Sequence, residues 1–255
     1  MMNKTITFAI TVCNERDELQ RLFEWILPHV KTTDQILIQS DSDSVTDDVN
    51  SYINGLLDKS YDFMLDYQSV PLQMDFGSFK NKLKETSKCD WIYQIDADEL
   101  PSEYMLENIH ELVFLNDDID VMLVPRINTV HGITIDHVNK WGWSVNVFTD
   151  DTMKISENKK EMSDGYIEFL NKCGAICDDD GDTISYYTPV INYPDYQWRL
   201  YKNIDTIKWV NKVHERLVGF DIYTHLPSET VEYAMSHDKH ISRQEKQNSF
   251  YNTIQ

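Results

Sequence analysis

The stretch Thr5 to Cys13 (TITFAITVC) is β-branched and almost unbroken in its apolar character, the pattern of a strand buried on both faces of a parallel sheet. The period then changes. Leu19, Leu22, Phe23 and Ile26 recur at helical spacing, with Asn14 as the expected cap and Pro28 at the far end. Glu15, Asp17 and Glu18 fall in the first turn, against the positive end of the helix dipole. Gln35 to Gln39 (QILIQ) predicts a second strand, running into the polar loop Ser40 to Ser44. A helix over Asp47 to Leu57 and a third strand around Phe63 to Tyr67 follow. Phe79 to Ser87 predicts another helix and Trp91 to Ile95 (WIYQI) a fourth strand. After Pro101, Glu103 to Phe114 reads as helix and Val121 to Pro125 as a further strand.

This alternation predicts an α/β fold with a mostly parallel, doubly wound, Rossmann-like sheet flanked by helices. Ligands of such sheets bind at the carboxyl ends of the strands. The residues just after the strands therefore matter most: Asn14-Glu15, Ser40-Asp41 and Asp96-Ala97-Asp98. From Arg126 the alternation stops. Short β-like pieces and polar loops run to about Pro194, then aromatic and basic residues alternate (YQWRLYKN, IKWVNKVHERLVG), and His237 to Ile254 predicts a polar helix. The expected organisation is a first half, 1–125, and a second half, 126–255, fused in one domain.

Charge narrows the function. With 43 acidic against 23 basic residues, the formal net charge is −20. Such a surface repels nucleic-acid backbones and anionic lipids, and no dense basic patch offsets it. A nucleotide bound here needs local cations, from side chains or from a metal. Of the four cysteines, Cys13 and Cys89 lie in or beside apolar runs and are expected to be buried free thiols. Cys173 and Cys177, followed by the acidic run Asp178 to Asp182, fit neither a zinc spacing nor a calcium loop, so a solvated loop is expected. No leader-like segment opens the sequence, and no apolar run approaches the roughly 18 residues of a membrane span. The expectation is a cytoplasmic protein without an integral membrane segment.

Asp96-Ala97-Asp98-Glu99 is the strongest chemical signal. Two carboxylates one residue apart at a strand end can face one divalent cation, and Mg2+ or Mn2+ prefers carboxylate, water and phosphate oxygens. The ordered set ITVCNE, Asp41, FGSFKNKLKETSKCDWIYQIDADEL and a later VHE resembles the family 2 glycosyltransferases of GT-A fold. The resemblance covers about residues 5 to 125 well and 196 to 251 more loosely. It implies an inverting, non-processive transferase with a nucleotide-sugar-binding half at 1–125 and an acceptor-binding half at 126–255.

The resemblance also implies individual roles. Thr11 and Glu15 would line the nucleoside pocket, and Asp41 would bond the base, which makes a UDP-sugar the expected donor. Lys80 and Asn81 match the family's basic–Asn pair, with Lys standing where Arg is commoner; the charge is kept and the bidentate fork lost. Asp96 and Ala97 would sit by the donor and Asp98 would ligate Mn2+ or Mg2+. Glu215 would be the base that deprotonates the acceptor hydroxyl. His237 would be a further metal ligand, and Lys239 and Arg199 would contact the diphosphate.

Each role has a plainer alternative. Asp41-Ser42-Asp43 is a rival Asp-x-Asp, and whether Asp43 or Glu99 joins the metal stays open. Glu215 also suits a surface salt bridge with Arg216 or Lys212, and Arg199 suits pairing with nearby carboxylates. Trp141, Trp143, Tyr193, Tyr196, Trp198 and Trp209 offer stacking faces for a glycan or other hydroxyl acceptor, or ordinary packing. Two other functions compete. A nucleotidyltransferase needs a glycine-rich basic loop after the first strand, and Asn14-Glu15-Arg16-Asp17 is neither. A non-catalytic nucleotide- or carbohydrate-binding module of the same fold would keep the pocket without turnover.

Overall fold

In the computed structural model, the strand β1 (Ile6–Val12) has parallel neighbours on both sides, and buried side chains line both its faces, Ile6, Phe8, Ile10 and Val12 on one and Thr7 and Ala9 on the other. The structure describes residues 4–144, 155–158, 176–179, 183–187 and 189–254. Beside β1 lie β2 (Gln35–Asp41) and, on the other flank, β4 (Trp91–Asp96), while β3 (Met64–Val70) extends the parallel set beyond β2. Three helices follow their strands: α1 (Arg16–Ile26), α2 (Asp47–Leu57) and α3 (Phe76–Thr86). The short β5 (Glu99–Pro101) and α4 (Glu103–Leu115) come next, then β6 (Val121–His131) and α5 (Ile135–Trp141).

Three strands, β7 (Ile155–Asn158), β8 (Ile176–Asp179) and β9 (Thr183–Tyr187), form a separate antiparallel sheet with β9 in the middle. The long β10 (Val190–Lys202), the hairpin of β11 (Lys208–Val210) and β12 (Arg216–Val218), and the strands β13 (Tyr223–His225) and β14 (Met235–His240) lead to α6 (Ile241–Ile254). The main sheet has the order β3-β2-β1-β4-β10-β6-β14-β5, with β13 paired to β6. A large, mostly parallel sheet flanked by helices is the fold that the alternation predicts.

The chain divides into two compact units. The first comprises residues up to Pro125 and Tyr196–Met235; the second comprises Arg126–Asp195 and Ser236–Asn252. Within the first unit, alternation along β1 sends Ile6, Phe8, Ile10 and Val12 into one core and Ala9 into another. The larger core takes the apolar stripes of α1, α2 and α4, including Leu19, Leu22, Val49, Ile53 and Ile109. The smaller takes Leu83 of α3 with Trp209 and Leu217 of the β11–β12 hairpin. The second unit has its own small core of Val130, Ile133, Val138 and Ile191.

Several elements depart from expectation for identifiable reasons. Asn14 does not cap α1: Glu15 stands at the cap position, and its carboxylate takes the backbone N–H groups of Cys13 (2.8 Å) and Asn14 (3.0 Å). The third strand runs to Val70 because it follows β2 in register out to Asp41↔Val70. Being at the sheet edge, it needs no continuous apolar run. Residues 237–240 are strand rather than helix; burial alternates from Met235 through His237, a period-two signal that polar side chains conceal. Ile176–Asp179 is not a solvated loop, because its backbone pairs with β9 (Cys177↔Tyr186, Asp178↔Ser185). Cys173 and Asp180–Asp182 lie outside the described residues. Cys89 is a buried free thiol, raised above the usual thiol range by burial, whereas the Cys13 thiol is only half-buried and lies 3.4 Å from the Ser44 carbonyl.

Candidate functional site

The register of the parallel strands sets several predicted site residues abreast at one sheet edge. Thr11 pairs with Asp96 across β1 and β4 and with Gln39 across β1 and β2, so Ser40, Asp41 and Asp96 emerge at the carboxyl edge together. The Thr11 hydroxyl donates to Asp96 Oδ1 at 2.5 Å. The Ala97 amide extends the ladder by donating to the Thr11 carbonyl at 2.9 Å. A tight turn then carries Asp98, which is half-buried.

Asp96 is fixed from its other side too. Arg199, on β10, donates through Nη2 to Asp96 Oδ2 (2.5 Å) and to Glu99 Oε1 (2.6 Å). Burial alone would raise the Asp96 carboxyl. The charges of Arg199 and Lys80 and the Thr11 hydrogen bond outweigh it and hold Asp96 well below the usual carboxylate range. A third of the Asp96 side-chain surface stays open. Arg199 is 2% exposed, with its guanidinium raised further by the two carboxylates against the opposing effect of burial. It stands inside the protein rather than at an open phosphate site.

Lys80 and Glu215 come together as an ion pair, with the Lys80 ammonium also 4.7 Å from the centre of the Trp209 ring. The reason is local. The loop joining β11 to β12 turns back through Asn211 and His214, both at positive φ, and presents the Asn211 and Lys212 carbonyls to the first amides of α3. Phe76 donates to Lys212 O (3.0 Å) and Gly77 to Asn211 O (3.2 Å). One turn later, Lys80 faces Glu215 at the loop's end. The Asn81 amide brackets the Trp209 backbone, accepting from its N–H and donating to its carbonyl, each at 2.9 Å. The plainer alternative for Glu215, a surface salt bridge with Arg216 or Lys212, gives way to this half-buried pair with Lys80.

Asp41 is buried, and its Oδ1 accepts from the amides of Leu72 (2.9 Å) and Asp43 (3.2 Å). The rival Asp41-Ser42-Asp43 thus folds one carboxylate onto its own loop, while Asp43 is exposed. Glu15 likewise holds loop amides at the end of β1. Among the expected stacking residues, Trp209 is core; its indole donates to Tyr201 Oη at 3.2 Å.

Two expected residues belong to the second unit. His237 is buried on β14 with Nδ1 2.9 Å from Asn128 Oδ1, and Lys239 donates to Gln247 at 3.2 Å. Sequence reasoning missed Glu99 as a partner of Arg199; its acidic character was visible, its 1% exposure was not.

Among the described residues, no three His, Cys, Asp or Glu side chains gather as a ready ion cage. The carboxylates of the 96–98 turn are nevertheless hard oxygen donors of the kind Mg2+ and Mn2+ accept. Such ions commonly complete their shells with substrate phosphates and water rather than with a protein cage. Asp96 and Asp98 are the residues of this turn that would hold such an ion if it arrived with a diphosphate.

No family model and no characterised protein sequence matches the chain. Solved structures do. The fold is similar to S. aureus TarS 1–349 in complex with UDP-GlcNAc, at 11% identity and TM-score 0.52, over 92% of this chain and 58% of that one. It is the fold of a GT-A-type glycosyltransferase. A mannosyltransferase from Pyrobaculum calidifontis, PcManGT in complex with GDP-Man and Mn2+, matches more loosely, at 13% identity and TM-score 0.38 over 55% of this chain and 38% of that one. The chain thus spans less than two thirds of either structure. No helix among the described residues is long and apolar enough to cross a membrane.

Proposed function

We propose that the chain is a metal-dependent, inverting glycosyltransferase that moves a sugar from a UDP-linked donor to a hydroxyl acceptor such as a glycan. The observation that carries this reading is the sheet edge where Thr11, Asp41 and the Asp96–Asp98 turn stand abreast, with Lys80 close enough to act on the Asp96 charge. A fold shared with glycosyltransferases at low identity supports it.

In this reading Asp98 would hold Mn2+ or Mg2+. Bound there, the ion would neutralise the diphosphate leaving group. The chain's own residues do the rest. Asp41 and Glu15 shape the loops around the nucleoside. Asp96, kept ionised, accepts hydrogen bonds from the donor on its open side. Lys80 supplies a fixed positive charge for the diphosphate, which the net charge of −20 otherwise disfavours.

Glu215 removes the proton from the acceptor hydroxyl as its oxygen attacks the anomeric carbon. One direct displacement inverts that centre. Arg199, buried and donating through Nη2 to Asp96 and Glu99, and Asn81, bound to the Trp209 backbone, act on other residues rather than on the donor. The test is turnover: UDP-sugar hydrolysis, or transfer to a panel of glycans, with and without Mn2+. Donor binding without turnover on any acceptor or water would instead favour a binding module.

A further inference from the structure

The buried cluster behind the Asp96–Asp98 turn has a role that the site itself does not explain. Glu99, 1% exposed, reaches in two directions: Oε1 accepts from Arg199 Nη2 at 2.6 Å, and Oε2 accepts from the backbone N–H of Asp96 at 3.1 Å. The same Arg199 nitrogen donates to Asp96 Oδ2 at 2.5 Å. These contacts close a ring: Asp96 backbone to Glu99, Glu99 to Arg199, Arg199 back to the Asp96 side chain. Asp96 opens the turn and Glu99 closes it. Asp98 therefore projects from a backbone fastened at both ends, and at Ala97 by the Thr11 carbonyl.

We infer that Glu99 and Arg199 are positioning residues that set the geometry of the metal-binding turn, and that Arg199 does not contact the donor. The inference rests on the glycosyltransferase reading above. Its physical basis is the shape and charge of the ring. An arginine so deeply buried between two carboxylates presents no phosphate-facing surface, and its charge is already matched. Two carboxylates against one guanidinium leave the cluster net negative. Removing Arg199 would leave Asp96 and Glu99 to repel each other across the turn, and removing the Glu99 charge would free Arg199 to draw Asp96 inward. Either change moves the support of Asp98 without touching a ligand. Outer residues of this kind typically alter metal affinity by about 10- to 100-fold.

The experiment measures UDP and GDP affinity by calorimetry, with and without Mn2+, for wild type, Glu99→Gln, Arg199→Met and the double variant. Folding is checked by circular dichroism, and Glu99→Gln, an isosteric change, serves if Arg199→Met does not fold. Positioning predicts that each single variant loses at least 10-fold of the affinity gained with Mn2+. Metal-free nucleotide affinity should stay within about 2-fold, and the double variant should be no worse than the poorer single. A direct phosphate contact predicts instead that Arg199→Met loses affinity with and without Mn2+ while Glu99→Gln keeps both, a result that overturns the inference. Variants that keep the full Mn2+ gain also overturn it. A wild-type chain indifferent to both nucleotides and to Mn2+ overturns the glycosyltransferase reading itself, and the inference with it.

Discussion

Lys80 and Glu215, 135 positions apart in the chain, meet as an ion pair beneath which lies the Trp209 ring. Their side chains are only 7% and 18% exposed, so neither charge has much water to fall back on. The pair joins the residue proposed to attract the diphosphate to the residue proposed to activate the acceptor.

Glu215→Gln keeps the shape and a hydrogen-bonding oxygen but removes the base. We expect Mn2+-dependent UDP binding to persist and the transfer rate to fall by about 10^2- to 10^4-fold, the usual contribution of a general base. Steady-state kinetics on any accepted acceptor checks this. A rate within about 3-fold of wild type would assign the proton to another group.

Gly77 shows what holds that pair in place. A Cβ at this position would sit 2.6 Å from the Asn211 carbonyl oxygen, a backbone atom that cannot swing aside. Gly77→Ala, despite alanine's better helix propensity, is expected to destabilise the chain by about 1–3 kcal/mol through overpacking. It should also slow transfer, because the Asn211–Glu215 loop must shift. Chemical denaturation and kinetics on the same preparation test both effects.

Asp120 gives a pH dependence remote from the site. Its Oδ2 accepts the amides of Asp221 (2.9 Å) and Ile222 (3.2 Å), and its Oδ1 accepts from Lys202 at 3.0 Å. Partial burial works against ionisation, but these donors prevail and lower the carboxyl below its ordinary value. A lowered folded-state value adds stability above the unfolded value of about 4, and that stability is lost as pH falls through the folded value. Asp120→Asn should therefore be less stable than wild type at pH 7, with the gap closing as the pH falls from about 4 downward. A gap unchanged across that range would deny Asp120 this role.

His237 has a tautomer that its neighbours dictate. Asp195 is salt-bridged to Arg126 and only accepts, so Asn128 must turn its Nδ2 toward Asp195 (2.8 Å) and its Oδ1 toward His237. His237 therefore donates from Nδ1 to Asn128 Oδ1. Long-range proton–nitrogen NMR of the metal-free protein should show a proton on Nδ1. An unprotonated Nδ1 would contradict this hydrogen bond.

The sequence showed the fold where burial left one choice. β1 and β4 are covered on both faces, so their apolar runs have no other reading, and α2 falls where its spacing put it. β14 was hidden because its alternating burial is carried by Met, Ser and His instead of aliphatic residues. The Asp96–Asp98 turn was legible as a strand end because the apolar run WIYQI stops where its carboxylates begin. Arg199 was not. Its partners lie 103 and 100 positions away, and nothing local distinguishes an arginine that grips carboxylates from one that grips phosphate. Asn81 was obscured in the same way by Trp209, 128 positions on.

The central claim is that Asp98 anchors a divalent ion for the donor's diphosphate, and the most direct measurement is the thermal shift of wild type and Asp98→Ala with UDP or GDP, each with and without Mn2+. Wild type should be stabilised by nucleotide and Mn2+ together well beyond either alone, and Asp98→Ala should lose that joint effect while remaining folded. Equal joint stabilisation of the two proteins would place the ion elsewhere and contradict the account.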